Sequence, residues 1–257
     1  MTIKFGTDGW RGVIADDFTF ENLEKVALAT ALHYKRHKKI KNGIVIGYDA
    51  RFLSREFADC VAVVLANNGI STKVSDKISS TPMVSMMTKK LNAAAGIIIT
   101  ASHNPPRYNG YKIKGEFGGP ADPETIEKVE KHLSKILQSS DKVEIKKPLE
   151  KLVQEGKVKY IDMTKMYLND IKQKLDVKLV NNSGIRILHD AMYGSGMGVL
   201  TQLLPACHQI HGEFNPSFAG VNPEPIDKNL QELMLKTKTG KFDVGIATDG
   251  DADRVGV

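Results

Sequence analysis

Three short apolar runs, each stopping abruptly at a cluster of polar residues, constrain this chain more than any other feature. Ile44-Val45-Ile46 stops at Tyr48-Asp49-Ala50-Arg51, and Ile97-Ile98-Ile99 stops at Thr100-Ala101-Ser102-His103-Asn104-Pro105. Residues 242–247 stop at Thr248-Asp249-Gly250-Asp251-Ala252-Asp253-Arg254. Uninterrupted apolar runs of this length suit strands buried on both faces of a parallel sheet. Helical patterns lie between them, over 20–39, 55–67, 81–91 and 122–137, with a further strand at 70–75. Leu23, Val26, Ala27, Thr30 and Ala31 recur at helical spacing, and Thr19 is placed to cap that helix. Thr81-Pro82 and Asp122-Pro123-Glu124 are good helix starts, with Pro in the first turn. Strands alternating with helices predict an α/β fold with a mainly parallel sheet. Ligands of such sheets sit beyond the C-terminal strand ends, so the three polar clusters are functional hints by position alone.

Residues 139–150 are polar and charge-rich and contain Pro148, and a domain boundary is expected there. The second half repeats the style, with helices over 161–175, 198–204 and 227–238 and strands over 185–188 and 242–247. A length of 257 residues fits two domains of roughly 100–200 residues each, or one large one. No apolar run reaches the roughly 18 residues of a membrane span, so no membrane partner is expected. The two cysteines, Cys60 and Cys207, do not suggest a disulfide framework, and a cytoplasmic protein is expected. Cys60, inside Cys60-Val61-Ala62-Val63-Val64-Leu65, reads as a small buried hydrophobe. Lys+Arg 36 against Asp+Glu 30 gives +6. The densest basic run, Lys35-Arg36-His37-Lys38-Lys39-Ile40-Lys41, continues a helical pattern, where cations at the C-terminus are favoured. It lacks the interleaved aromatic residues that stack bases, so nucleic acid is not expected as a partner.

Asp249, Asp251 and Asp253 stand at every second position. On a regular strand such carboxylates would face the same side and repel. In a turn loosened by Gly250 they can converge, and converged carboxylates need a cation. Oxygen ligands suit a hard ion such as Mg²⁺. An EF-hand calcium loop is disfavoured, because Arg254 occupies the position where that loop needs Gly and a strand precedes the cluster. A solvated acidic turn is the plainer alternative.

Ser102 follows a buried strand and is flanked by His103 and Asn104. Local sequence leaves a structural turn and an active serine level with each other, since no G-x-S-x-G elbow is present. Two nearby cations in Arg107-Tyr108-Asn109-Gly110-Tyr111-Lys112 would suit a phosphate group. The opening Phe5-Gly6-Thr7-Asp8-Gly9-Trp10-Arg11-Gly12 puts three glycines around one arginine, a weak anion-cradle signal. Gly194-Ser195-Gly196-Met197-Gly198 has the wrong spacing for a dinucleotide turn.

Taken in order, the opening segment, the Ser102 segment and the aspartate segment resemble the opening motif, phosphoserine loop and metal loop of the α-D-phosphohexomutase family. The resemblance covers the whole chain. It implies two α/β domains with mixed, mainly parallel sheets sandwiched by helices. Domain I would span 1–145 and carry the serine; domain II would span 150–257 and carry the metal loop. The family's third and fourth domains, which select the sugar and grip its distal phosphate, are expected to be absent. By the resemblance Ser102 carries the phosphoryl group, and one Mg²⁺ is held by Asp249, Asp251, Asp253 and a phosphoserine oxygen. Arg254 contacts the phosphoserine, and Lys112 and His103 are the proton-transfer candidates. Arg11 and Asn104 support phosphate, and Arg51 is expected to help hold the substrate cleft. The implied reaction interconverts hexose 1-phosphate and hexose 6-phosphate of glucose or mannose through a hexose 1,6-bisphosphate, which also serves as activator. Turnover by the chain alone is expected to be absent or very weak. A phosphoglucosamine mutase, or a non-catalytic module that binds phosphosugars, is the alternative.

Overall fold

The apolar runs form strands because nothing in them offers a polar face. In a computed structural model, which describes residues 3–6, 9–139 and 142–257, they are the central strands of two sheets. Thr7 and Asp8 of the opening motif lie outside the described residues, as do the first two residues and Ser140 and Asp141 of the expected linker. In chain order the first part contains β1 (Trp10–Val13), α1 (Phe20–Tyr34), β2 (Ile44–Tyr48), α2 (Ser54–Asn67), β3 (Thr72–Ser75) and α3 (Thr81–Lys90). It continues with β4 (Ala95–Ile99), β5 (Tyr108–Lys114), α4 (Pro123–Gln138), α5 (Leu149–Gln154) and β6 (Val158–Ile161). Then come α6 (Met163–Lys174), α7 (Val177–Asn182), β7 (Ile187–Asp190), α8 (Val199–Leu203) and β8 (His208–Ile210). Last are α9 (Gln231–Lys236), β9 (Val244–Thr248) and β10 (Val255–Gly256).

The first sheet has the order β1-β5-β4-β2-β3-β6 and the second β10-β9-β7-β8. β4, β2, β3 and β6 run parallel, while β5 pairs antiparallel with β4 and the edge strand β1 antiparallel with β5. The second sheet is parallel through β8, β7 and β9, with β10 antiparallel. Strand alternation divides the first core in two. Ile44, Ile46, Ile97 and Ile99 pack with Leu23 and Val26 of α1 and Phe57 and Val61 of α2. Val45 and Ile98 face the other way, onto Val84 and Met87 of α3 and Met163 of α6. A smaller core, with Leu188, Leu233 and Ala247, lies under the second sheet.

Thr19 caps α1 as expected, accepting a hydrogen bond from the Asn22 amide at 3.2 Å. That helix ends at Tyr34, not 39, so the basic run lies in turns and the start of a short 3-10 helix (Ile40–Asn42), and Lys38 and Lys39 reach Glu116 instead of facing the end of α1. Cys60 is half-buried. Edge strand β6 lies beyond residues 139–150 in sequence, yet pairs in parallel with β3. Among the described residues no helix is long and apolar enough to cross a membrane.

At the start of the second sheet the Arg186 amide and guanidinium both donate to Asp243, at 2.8 and 2.7 Å, tying β7 to β9. Those bonds lower the Asp243 carboxyl from its ordinary 3.8 to about 2. An NMR titration should place its midpoint near that value, and Arg186→Ala should raise it only part of the way, because the backbone amide still donates to the carboxylate. The folded pKa is the lower one, so the pair's stabilisation is present above the unfolded value and disappears as pH falls through about 2. With both side chains in solvent, the contribution is small.

Candidate active site

The site is built where β2, β4 and β9 end. Ser102, just past β4, has φ 54°, a left-handed conformation that costs a non-glycine residue on the order of 1–3 kcal/mol. The fold fixes it there: the Ser102 amide donates to Thr100 Oγ1 at 2.9 Å, and the residue is 3% exposed. Its hydroxyl donates to Asp249 Oδ2 at 3.1 Å, across 147 positions of sequence. The two loops touch so closely that a Cβ on Gly250 would lie 2.3 Å from the Ser102 carbonyl oxygen, which explains glycine at that position.

The three aspartates converge as expected, each able to bring one carboxylate oxygen within 4.8 Å of the others. Asp251 is held by Thr81, whose hydroxyl donates to Oδ2 at 2.6 Å, and by Lys112 Nζ at 3.0 Å. Lys112 is 1% exposed and lies 3.7 Å from Asp253 Oδ2 as well. Arg254 donates from Nε to Asp249 Oδ2 at 2.9 Å, while the Asp253 and Arg254 amides donate to Oδ1. Burial, then the Asp251 charge, raises the Asp249 pKa against the pull of Arg254. For Asp251, burial acts upward but is outweighed by Lys112 and by the Thr81 hydroxyl, and its pKa is lowered. Asp251 Oδ1 is buried and has no hydrogen-bond partner among the described residues. A buried orphan oxygen between two further carboxylates fits a cation ligand, and an all-oxygen set can hold a hard metal ion.

The remaining candidates sit around this centre. Arg11 Nη1 donates to Asn104 Oδ1, so the opening motif reaches the serine loop. His103 is half-buried, its Nδ1 has no hydrogen-bond partner among the described residues, and burial followed by Arg254 lowers its pKa. Arg51 differs from expectation. Rather than facing the cleft, it is 2% exposed and spends its guanidinium on the loop's own backbone. It donates to the carbonyls of Ser102, Asn104, Pro105 and Tyr108 at 2.6–3.0 Å. Its Nε lies 3.2 Å from Asp49 Oδ2, and the Phe218 ring covers it at 5.0 Å. Thr81, Asp49 and Thr100 were not expected at the site. Thr81 showed only a helix-start signal, and Asp49 and Thr100 only their places in strand-end clusters.

The family model described as phosphoglucomutase/phosphomannomutase, alpha/beta/alpha domain I matches residues 2–140, and that of domain II matches residues 165–257. The chain belongs to the phosphoglucomutase/phosphomannomutase family. A phosphoglucomutase of Staphylococcus saprophyticus is 33% identical over 99% of this chain and 48% of its own length. One from a bovine strain of Staphylococcus aureus is 32% identical with the same coverage. The chain thus spans about half the length of the curated relatives it matches. Among solved structures, a Thermus thermophilus protein named provisionally as a phosphomannomutase is 35% identical with a TM-score of 0.86, covering 99% of this chain and 56% of that one. Parafusin, a phosphoglucomutase of Paramecium, shares the fold at a TM-score of 0.86 and 23% identity, over 99% of this chain and 52% of its own. These likenesses agree with the expected family and with two helix-sandwiched mixed sheets.

Proposed function

We propose that this chain carries the phosphoserine and metal centre of a hexose-phosphate mutase acting on glucose or mannose phosphates. The observation that carries the reading is the 3.1 Å bond between Ser102 Oγ and Asp249 Oδ2, which joins the expected nucleophile to the expected metal loop. Relatives named phosphoglucomutase, and the phosphomannomutase in the family's description, support the sugar class.

Ser102 Oγ takes a phosphoryl group from a hexose 1,6-bisphosphate, forming the Oγ–P bond as the P–O bond to the sugar breaks. The hydroxyl proton leaves toward Asp249 Oδ2, its existing acceptor. Lys112, a buried ammonium beside two carboxylates, supplies the proton to the departing sugar oxygen. His103 is the second proton-transfer candidate. In the reverse direction the phosphoserine donates to a sugar hydroxyl and the protons retrace their paths. Arg254 and Arg11, with Asn104, balance charge on the phosphoserine. Mg²⁺ held by Asp249, Asp251, Asp253 and a phosphoserine oxygen would supply positive charge to the transferring group. Arg51 acts in this reading through the serine loop and not on substrate. The division into units 1–145 and 150–257 enters with one adjustment, since β6 pairs with the first sheet.

The test is intact-mass analysis after incubation with glucose 1,6-bisphosphate and Mg²⁺. One phosphoryl group should appear, map to Ser102, and be absent from Ser102→Ala. A coupled assay should find little or no conversion of glucose 1-phosphate to glucose 6-phosphate by residues 1–257 alone. Phosphate on another residue, or none with any bisphosphate donor, would overturn the serine assignment.

A further inference from the structure

A cavity of about 510 Å³ lies between α6 and the segment that leads into α8, with Lys77 and Ile78 closing it from the first sheet's side. None of Ser102, Asp249, Asp251 or Asp253 lines it, so it is separate from the site above. Its charge is mainly positive. Lys77, Lys165 and Lys172 face a single lining carboxylate, Asp162, which already caps α6 and lies 3.3 Å from Lys77. Lys165 and Lys172 stand seven positions apart, which puts them on one helix face about 10 Å from each other. Among the described residues neither makes an ion pair.

The cavity wall also holds Ser195, 2% exposed, whose buried hydroxyl has no hydrogen-bond partner among the described residues. A hydroxyl taken from water and left unpaired costs about 1–3 kcal/mol, so one at the wall of a basic cavity is suited to a ligand oxygen. The same residue touches the metal loop: its amide donates to the Gly250 carbonyl at 2.9 Å. Gly196, next to it, packs so closely that an added Cβ would lie 2.5 Å from Thr248 Oγ1.

We propose that this cavity binds a small phosphate-bearing ligand, with Lys165 and Lys172 taking its charge and the Ser195 hydroxyl donating to a phosphate oxygen. The ligand bridges the two sheets and contacts the segment on which the metal loop rests. Nothing in this assignment depends on chemistry at Ser102.

The test is amide NMR of the 15N-labelled 257-residue chain without divalent cation, titrated separately with inorganic phosphate and glucose 6-phosphate. Saturable shifts are expected at residues 164–172 and 195–197. Tighter binding of the sugar phosphate assigns a phosphate ester; equal binding assigns free phosphate. The double variant Lys165→Ala/Lys172→Ala should weaken these shifts at least tenfold, and Ser195→Ala at least threefold. Shifts around Ser102 and 249–254 should keep their midpoint in the double variant. The proposal is overturned if shifts appear only around Ser102 and 249–254. It is equally overturned if those near α6 grow without saturating, or if they are indifferent to the lysine substitutions.

Discussion

Arg51→Ala is expected to lower stability by about 3–5 kcal/mol, the usual cost of removing one partner from a buried ion pair. Both side chains of the Arg51–Asp49 pair are fully buried, so the Asp49 charge would remain without its counter-ion. Burial already raises the Asp49 pKa, with Arg51 the leading force against that rise. Three carbonyls of the serine loop and that of Tyr108, at the start of β5, would also lose their shared donor. In a chain of this size the melting temperature should fall on the order of 10 °C. Ser102 phosphorylation should fall too, because the left-handed backbone at that residue needs the surrounding bonds to persist. Arg51→Lys separates the two effects. It keeps the charge and should regain part of the stability, but an ammonium cannot reproduce the fork that reaches four carbonyls, so phosphorylation should stay low. Thermal unfolding of both variants, with intact mass after bisphosphate treatment, is the check. An Arg51→Ala melting point equal to the parent's would show that the clamp contributes nothing.

What the sequence made legible follows from how each element is buried. β2, β4 and β9 were readable because a parallel strand covered on both faces has little choice but to be apolar. β1 and β5 were not, since they carry Arg11, Asn109 and Lys112 and the polar residues obscure the strand pattern. β6, Val158-Lys159-Tyr160-Ile161, was hidden by its charged surroundings and is only an edge strand. The basic run after Tyr34 kept a helical spacing, but the chain turns there and its lysines find Glu116, a contact no local pattern encodes. At the site, the aspartate triplet announced its own convergence because like charges two residues apart have few other uses. Arg51 was visible as a strand-end cation, yet its partners are backbone carbonyls more than fifty residues away. Thr81 is the extreme case: its hydroxyl serves Asp251 across 170 positions, and only folding reveals the pair.

Asp251→Asn is the sharper test of the centre, because it removes one charge and little shape. The amide oxygen can still accept from the Thr81 hydroxyl, so that contact survives the change. Two things are lost. The proposed metal site keeps only Asp249 and Asp253 as carboxylates, and the rate of Ser102 phosphorylation should drop by about 10²–10³, the typical loss when one electrostatic group is removed. The buried Lys112 ammonium also loses its nearer counter-charge, keeping Asp253 at 3.7 Å, so stability should fall as well. Lys112→Met on top of Asp251→Asn distinguishes the two losses. Removing both ends of a buried pair is often nearly neutral, so the double variant should regain much of the melting temperature. Its phosphorylation should remain as low as that of the single variant or lower, since neither the carboxylate nor the proposed proton donor has returned. Rates are read by intact mass over time at saturating Mg²⁺ and glucose 1,6-bisphosphate, and stabilities by urea and thermal unfolding. If Asp251→Asn is phosphorylated at the parent's rate, the buried carboxylate is a structural partner of Lys112 and Thr81 alone, and the metal centre proposed for this loop has to be given up.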